Sequence, residues 1–545
     1  MSLRTRVVLP VVAALSLAFL AACGSGTHSP VAPPTGAFSN TNFNGSYTFS
    51  ITGEDIDGAG NPSLFAMAGT ITACGCTGGM IQAGTVDLSD LGGTGAGLSV
   101  NSNGSSYSVN KDGRGTINLS IANGSNPSIS VVLDFVLTSS THGLISRFDG
   151  AGTGSGTIDL QPNPTVTLSD GAYAFSLSGS TFVAPNGTPL ATVGAVNLSS
   201  GTISSGVQDF NDNATPTFEP SLSGSIQTGS GTTPGTATIT SGFGTFGFDV
   251  YSIDATHLKL FENDGNAILV GDVFKQSSAT LPTGNLVFTA SGFDPTGAPF
   301  AAGGTISSSA SQLTGAEDIN DAGTVDGGGA TATPFAFSST SVTNSPSGSG
   351  RFQIVLSGFL GGTNFVAYPS DAGLLLLEAD NTLNAGITAG VALTQTSGAS
   401  LAASQGYSLN LTGSDLVNGT ELDEIAQFNT TSSGMTGLID LNDFGVSNPN
   451  TSNLSGSYTN NSNGTGSAAF TGNSPLGQIF YYAADSSTIL FISVDGTDTG
   501  TGTLESQSTP SSAAAEVIQR EAAIVRTAAH IRSAAANRRK MEKKN

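Results

Sequence analysis

Four markers recur in the same order, four times along this chain, and no other feature constrains its fold as tightly. The first is an alternating strand that ends in glycine: Tyr47, Phe49, Ile51 and Gly53, then Tyr173, Phe175, Leu177 and Gly179. It returns as Leu286, Phe288, Ala290 and Gly292, and again as Tyr407, Leu409, Leu411 and Gly413. In the first copy Thr48, Ser50 and Thr52 intervene. One face is therefore apolar and the other polar, the pattern of a half-buried strand. The second marker is Gly-x-x-Asp, an apolar residue, Asn or Ser, then Asp, at 84–90, 206–212, 315–321 and 437–443. The third is a glycine that opens a strand: Gly115, Gly235, Gly350 and Gly466. The fourth is an aspartate ahead of Gly-x-x-x-x-Gln. It reads Asp149, Gly156, Gln161, then Asp264, Gly271, Gln276, then Asp380, Gly390, Gln395, and last Asp495, Gly502, Gln507.

The markers divide the chain into units at 44–161, 168–276, 283–395 and 405–507, separated by breaks such as Pro162-Asn163-Pro164. Each unit is long enough for its own core. In the first, strands are expected near 46–52, 64–73, 80–88, 96–101, 105–110, 115–122, 129–138 and 143–149, with 154–160 closing. Short Gly/Asn/Asp turns join them, which favours antiparallel neighbours in a meander. The expected fold is all-β: four tandem antiparallel up-and-down barrels, because a closed meander has no open edge. β-Sandwiches are the alternative. With 73 glycines, no tryptophan and 38% hydrophobic residues, composition suits short strands and opposes disorder.

The ends differ from the repeats. Arg4 and Arg6 precede an apolar run from Val7 to Leu20, too short to cross a bilayer comfortably and ordered like a secretion signal, 1–22. The run ends Leu20-Ala21-Ala22-Cys23, which resembles the lipobox of bacterial lipoproteins. The resemblance implies cleavage before Cys23, lipid on Cys23, and a membrane anchor. With Gly24 and Ser25 following, and no aspartate, it further implies the outer membrane of the cell envelope. Residues 23–43, with Pro30, Pro33 and Pro34, read as a tether. Residues 511–545 carry Val517, Ile518, Ile524, Val525, Ala528 and Ile531 at helical spacing, so an amphipathic basic helix is expected there. The units themselves look like domains of uncharacterised exported bacterial proteins.

The net charge is −23. The signal's two arginines and the net +5 of 511–545 leave −30 for the residues between, which would repel nucleic acid. Cys74 and Cys76 flank Gly75, and export favours a local disulfide between them. His142 and His257 sit at similar points of the first two units, without counterparts in the others, and read as turn or surface residues. The marker aspartates Asp87 and Asp90, Asp209 and Asp212, Asp318 and Asp321, and Asp440 and Asp443 end strands, and Asp55 and Asp57 lie in a similar turn. Closely spaced carboxylates of this kind could bind calcium, the one cofactor considered; the competing role is turn capping. No hydrolase, phosphate-loop or dinucleotide motif stands in a fitting context. The expectation is a non-enzymatic structural, adhesive or binding lipoprotein, with cell-wall or extracellular glycan as a candidate partner. A small-ligand carrier using barrel interiors and a glycan hydrolase are the alternatives.

Overall fold

The computed structural model describes residues 38–56, 62–124, 126–181, 187–309, 311–326, 334–381, 386–444, 449–471 and 475–508. The signal, Cys23, most of the tether, His28, Asp57 and the 511–545 tail with His530 lie outside the described residues. All four units are antiparallel barrels whose strands follow in chain order. In the second unit eight strands close: Gly171–Thr181, Thr188–Ser199, Thr202–Asp212, Ser223–Gln227, Gly235–Thr240, Thr245–Asp254, His257–Glu262 and Ala267–Lys275. A short flap, Thr215–Glu219, adds to Thr202–Asp212. The third unit repeats this plan, and the fourth is a closed barrel of eight strands without a flap. In the first, the edge strands Gly93–Ser99 and Ser106–Val109 are stitched by the bridges Met80–Ser106 and Val100–Ile121.

Two of the repeated glycines are explained by how each barrel closes. Its first strand crosses its last at close range. A Cβ on Gly179 would lie 1.7 Å from the carbonyl oxygen of Ile268, and one on Gly292 would lie 1.8 Å from that of Ile387. On the opposite strand, a Cβ on Gly156 would lie 1.7 Å from the carbonyl oxygen of Ser50. Any side chain there would prise the seam apart. The third marker is less uniform than its spacing suggests. Gly115 and Gly466 stand opposite Phe135 and Tyr481, whereas the matching place opposite Ala367 is held by Phe352, two residues after Gly350.

Each barrel interior is filled by its own alternating side chains. In the first, Phe43 stacks on Tyr47 at 4.0 Å and on Phe135 at 5.1 Å. In the third, Phe337, Phe359 and Phe365 meet edge to face at 5.1 and 5.4 Å. Further apolar clusters lie outside the barrels and join them in sequence order. Ala66 and Ala68 meet Tyr251 and Val270; Val193 meets Tyr368 and Leu375; Ala301 meets Tyr482 and Ile492. The fourth such cluster joins the last barrel to the first, through Ile425, Val136 and Leu144. The barrels thus form a closed ring.

The ring explains the marker glutamine. Gln161, Gln276, Gln395 and Gln507 each donate from Nε2 to a backbone carbonyl of the following barrel: Ser252 at 2.7 Å, Pro369 at 2.7 Å, Ala483 at 3.0 Å and Leu137 at 2.9 Å. The four acceptors hold equivalent places, and the last bond returns to the first barrel. Repeated head-to-tail contacts of one kind close into a ring when the rotation per unit allows it. The half-buried reading of the first marker therefore needs correction. Thr48, Ser176, Thr289 and Ser408, all on the polar face, are at most 3% exposed, because the next barrel covers them. Solvent reaches the opposite side, along strands such as Gly93–Ser99 and Phe335–Asn344.

Candidate functional site

In the second marker, Asp and Asn two residues apart share one strand face, while the apolar residue and final Asp share the other. Phe210 and Ile319 point into their barrel cores accordingly. Asp209 and Asn211 point out, into the joint with the next barrel. Arg351 of the third barrel donates to Asp209 from Nε at 2.6 Å and Nη2 at 2.7 Å, and the Tyr368 hydroxyl donates at 2.5 Å. Asn211 donates to the carbonyls of Glu378 and Gly386 at 3.0 and 3.1 Å. The joint between fourth and first barrels repeats this: Arg114 Nη1 meets Asp440 at 3.1 Å, and Asn442 donates to the carbonyls of Arg147 and Gly152. Between third and fourth barrels, Tyr482 donates to Asp318 at 2.8 Å, and Asn320 donates to the carbonyls of Ser493 and Asp498. Between first and second, Asp87 faces Asp249 and Tyr251, and burial pushes its carboxyl up to about 7.

The final aspartates go elsewhere. Asp90 accepts from the backbone of Gly92 and Gly93, Asp212 from Thr188, and Asp443 from Thr420; Asp321 lies where burial raises its carboxyl. Asp55 accepts from Ser63 and lies 3.8 Å from Arg147. The strand spacing thus separates each marker pair across the sheet. Among the described residues no three metal-ligating side chains of His, Cys, Asp or Glu gather at one point. Cys74 and Cys76 are joined in a disulfide at a strand end.

The two histidines are not surface residues. His142 and His257 lie within strands, 7% and 8% exposed. His142 Nδ1 lies 2.7 Å from Asp159, its Nε2 lies 3.1 Å from Glu505 of the fourth barrel, and His257 Nε2 lies 2.7 Å from Asp272. Lys259 bridges the first two barrels, 3.0 Å from Asp272 and 3.9 Å from Asp159. Three barrels thus meet on one buried charge network, whose members have the same local sequence as side chains that meet only water.

This polar joinery makes stability pH-dependent. Burial pushes Glu317 up to about 8 and Glu378 up to about 7; burial, with Asp440 nearby, pushes Asp134 up to about 7. The folded state holds these protons while the unfolded chain releases them near pH ~4. Their contribution is full below about pH 4 and is lost progressively as pH rises from there through about 7 to 8. Burial alone would raise Asp159 and Asp272 as well, but His142, His257 and Lys259 outweigh it and hold both down. That contribution is lost only as pH falls below the ordinary carboxylate range. The melting temperature should therefore fall by several degrees between about pH 5 and about pH 9. A rise over that interval would contradict the assignment.

The joint between the third and fourth barrels lacks the arginine that two other joints have. Arg114 stands opposite Val136, and Arg351 holds the same level beside Tyr368. At this level the fourth barrel has Thr465, opposite Tyr482. The short side chain leaves open space. A cavity of about 280 Å³ is lined by Asp318, Thr465, Gly466, Asn461, Phe480 and Tyr482. It shares Thr305, Ala316 and Asn463 with a groove of about 560 Å³, whose polar lining includes Asn285, Ser307, Thr314 and Gln395. These volumes are of the size that small-molecule sites occupy.

No protein family and no curated protein matches this chain. Among solved structures, the chain is similar to an AttH candidate from Nitrosomonas europaea, at 12% identity and a TM-score of 0.16, over 44% of this chain and 94% of that one. Sequence reasoning missed Arg114, Arg351, Thr465 and the tyrosines at the joints. In the structure, Tyr251, Tyr368 and Tyr482 each precede a carbonyl that receives a marker glutamine.

Proposed function

We propose that this protein is an exported lipoprotein, acylated at Cys23, which serves at the bacterial cell envelope as a non-enzymatic binding module. Its ligand site is the groove between third and fourth barrels, and its ligand is a polar cell-wall or extracellular glycan. The groove carries the reading. Asn285, Ser307, Thr314 and Gln395 offer amides and hydroxyls in a recess of about 560 Å³, a lining that suits sugar hydroxyls. The packed barrel interiors favour this reading over carriage inside a barrel. Glycan hydrolysis uses a pair of carboxylates, whereas the described lining of the groove is amides, hydroxyls and small apolar groups, which favours binding over hydrolysis.

The test is thermal. A ligand that binds only the folded state stabilises it by about 2.7 kcal/mol at a hundredfold excess over Kd. Among cell-wall and extracellular glycans, at least one should raise the melting temperature, and Ser307→Tyr should abolish the shift by filling the groove. A shift that survives Ser307→Tyr would place the site elsewhere. In cells, Cys23→Ser should abolish labelling by a fatty-acid analogue and release the protein from the membrane fraction. Persistent labelling would overturn the anchor.

A further inference from the structure

We infer that the Cys74–Cys76 bridge is a thiol–disulfide exchange site, which takes two electrons from paired cysteine thiols of a protein or peptide. The inference goes beyond the glycan groove and does not depend on it. The bridge lies at the turn between the strands Pro62–Cys74 and Ile81–Asp90. It is a poor staple. Its ends are two residues apart, and the stabilisation a bridge gives through chain entropy is least for short loops. The turn is also held without it. The Cys74 N–H donates to the Met80 carbonyl at 3.1 Å, and the Gly79 N–H to that of Cys76 at 3.0 Å. The Tyr107 N–H donates to the Gly79 carbonyl at 2.7 Å, and Asn40 Nδ2 to that of Thr77 at 3.0 Å. A bridge that restrains so little chain can open without unfolding the barrel.

The two sulfurs are not equivalent. Cys74 packs against the core of the first barrel. Its Sγ receives the N–H of Cys76 at 3.1 Å and that of Met80 at 3.3 Å, and the Tyr107 hydroxyl lies 3.7 Å away. Sulfur without a charge is a weak acceptor, so these donors contribute little while the bridge is closed. They contribute more to a thiolate, because hydrogen bonds to a charged group are about twice as strong. Cys76 is half-buried and is followed on the turn by exposed Thr77 and Gly78. Met80, beside them, is 54% exposed and offers apolar surface to an incoming peptide.

This asymmetry gives the exchange a direction. A substrate thiolate attacks Sγ of Cys76 from the solvent side. The S–S bond breaks, and its electron pair leaves on Cys74, where the donors receive it. The second substrate thiol, deprotonated, attacks its own partner sulfur in the mixed disulfide and releases Cys76 as a thiolate. The substrate ends as a disulfide, and Cys74 and Cys76 end as two thiols carrying the protons that the substrate lost.

The test uses the full chain carrying Cys23→Ser, which leaves Cys74 and Cys76 as its only cysteines. The substrate is a reduced peptide with two cysteines, whose oxidation is followed by mass spectrometry. The reference oxidant is the disulfide form of acetyl-Cys-Gly-Cys-amide, which has the same ring and lacks the donors from Met80 and Tyr107. The chain should oxidise one peptide per molecule, at least about 10-fold faster than the reference. A peptide with a single cysteine should stop at the mixed disulfide. Acid quenching and alkylation should then place that peptide on Cys76 and the alkyl group on Cys74. Replacing both Cys74 and Cys76 by serine should abolish oxidation and lower the melting temperature by less than about 3 °C. A rate no faster than the reference, the peptide on Cys74, or a larger loss of melting temperature would each overturn the inference.

Discussion

Arg351→Ala is expected to destabilise the ring by about 3–5 kcal/mol, the cost of leaving a buried carboxylate without its cation. Arg351 is the cation paired with Asp209 among the described residues, and both side chains are nearly sealed, at 7% and 6% exposure. Tyr368 would remain as a donor to Asp209, but one hydroxyl does not replace a two-nitrogen grip. The double variant Asp209→Leu with Arg351→Met should recover most of the loss, since apolar replacement of a buried pair is often neutral or better. The readout is the urea midpoint followed by two probes, because a ring of four cores need not unfold in one step. A single variant that loses less than about 1 kcal/mol would show that water reaches the joint and that the pair is worth no more than a surface bridge.

Removing the fourth barrel, by ending the chain at residue 395, should change the assembly state. The cut exposes two unlike faces. One is the apolar patch of Val287, Ala301 and Val391; the other is the charged and apolar face around Arg114, Val136 and Leu144. Head-to-tail faces that no longer close tend to build open chains. Light scattering should find concentration-dependent oligomers and a lower melting temperature. A circular permutant supplies the control. Phe38 and Gln507 both lie over Gly113, so the ends of the ring are neighbours. A chain opened in the exposed 278–280 link, with residue 508 joined to residue 38, keeps every joint and should stay monomeric. A monomeric three-barrel chain with an unchanged melting temperature would mean that the fourth barrel closes nothing.

The barrel was legible because its signals are local. Alternation, turn residues and marker glycines are read within about ten residues, and closure follows from the need to remove sheet edges. The joints were not legible, for a physical reason: a hydroxyl or carboxylate that bonds a distant barrel has the same local sequence as one that bonds water. Arg114 and Asp440 are separated by 326 residues, and Arg351 and Asp209 by 142. The polar face of Thr48 and Ser50 read as half-exposed for that reason, and His142 and His257 as surface residues. The marker aspartates invited turn capping or calcium; Asp90 does cap the turn at Gly92 and Gly93, while the spacing of three on a strand divides each pair between two faces.

The sequence by itself determined the all-β class and the antiparallel order of tandem barrels, because these depend on periodicity and turn chemistry. It also carried Gln161, Gln276, Gln395 and Gln507 as a repeated mark without a meaning. Only the tertiary structure decided that the fourth barrel returns to the first, that the marker residues are the joints, and that Thr465 opens one of them. The rotation from one barrel to the next is set by how whole faces pack, and no short stretch of chain encodes the sum of four such rotations.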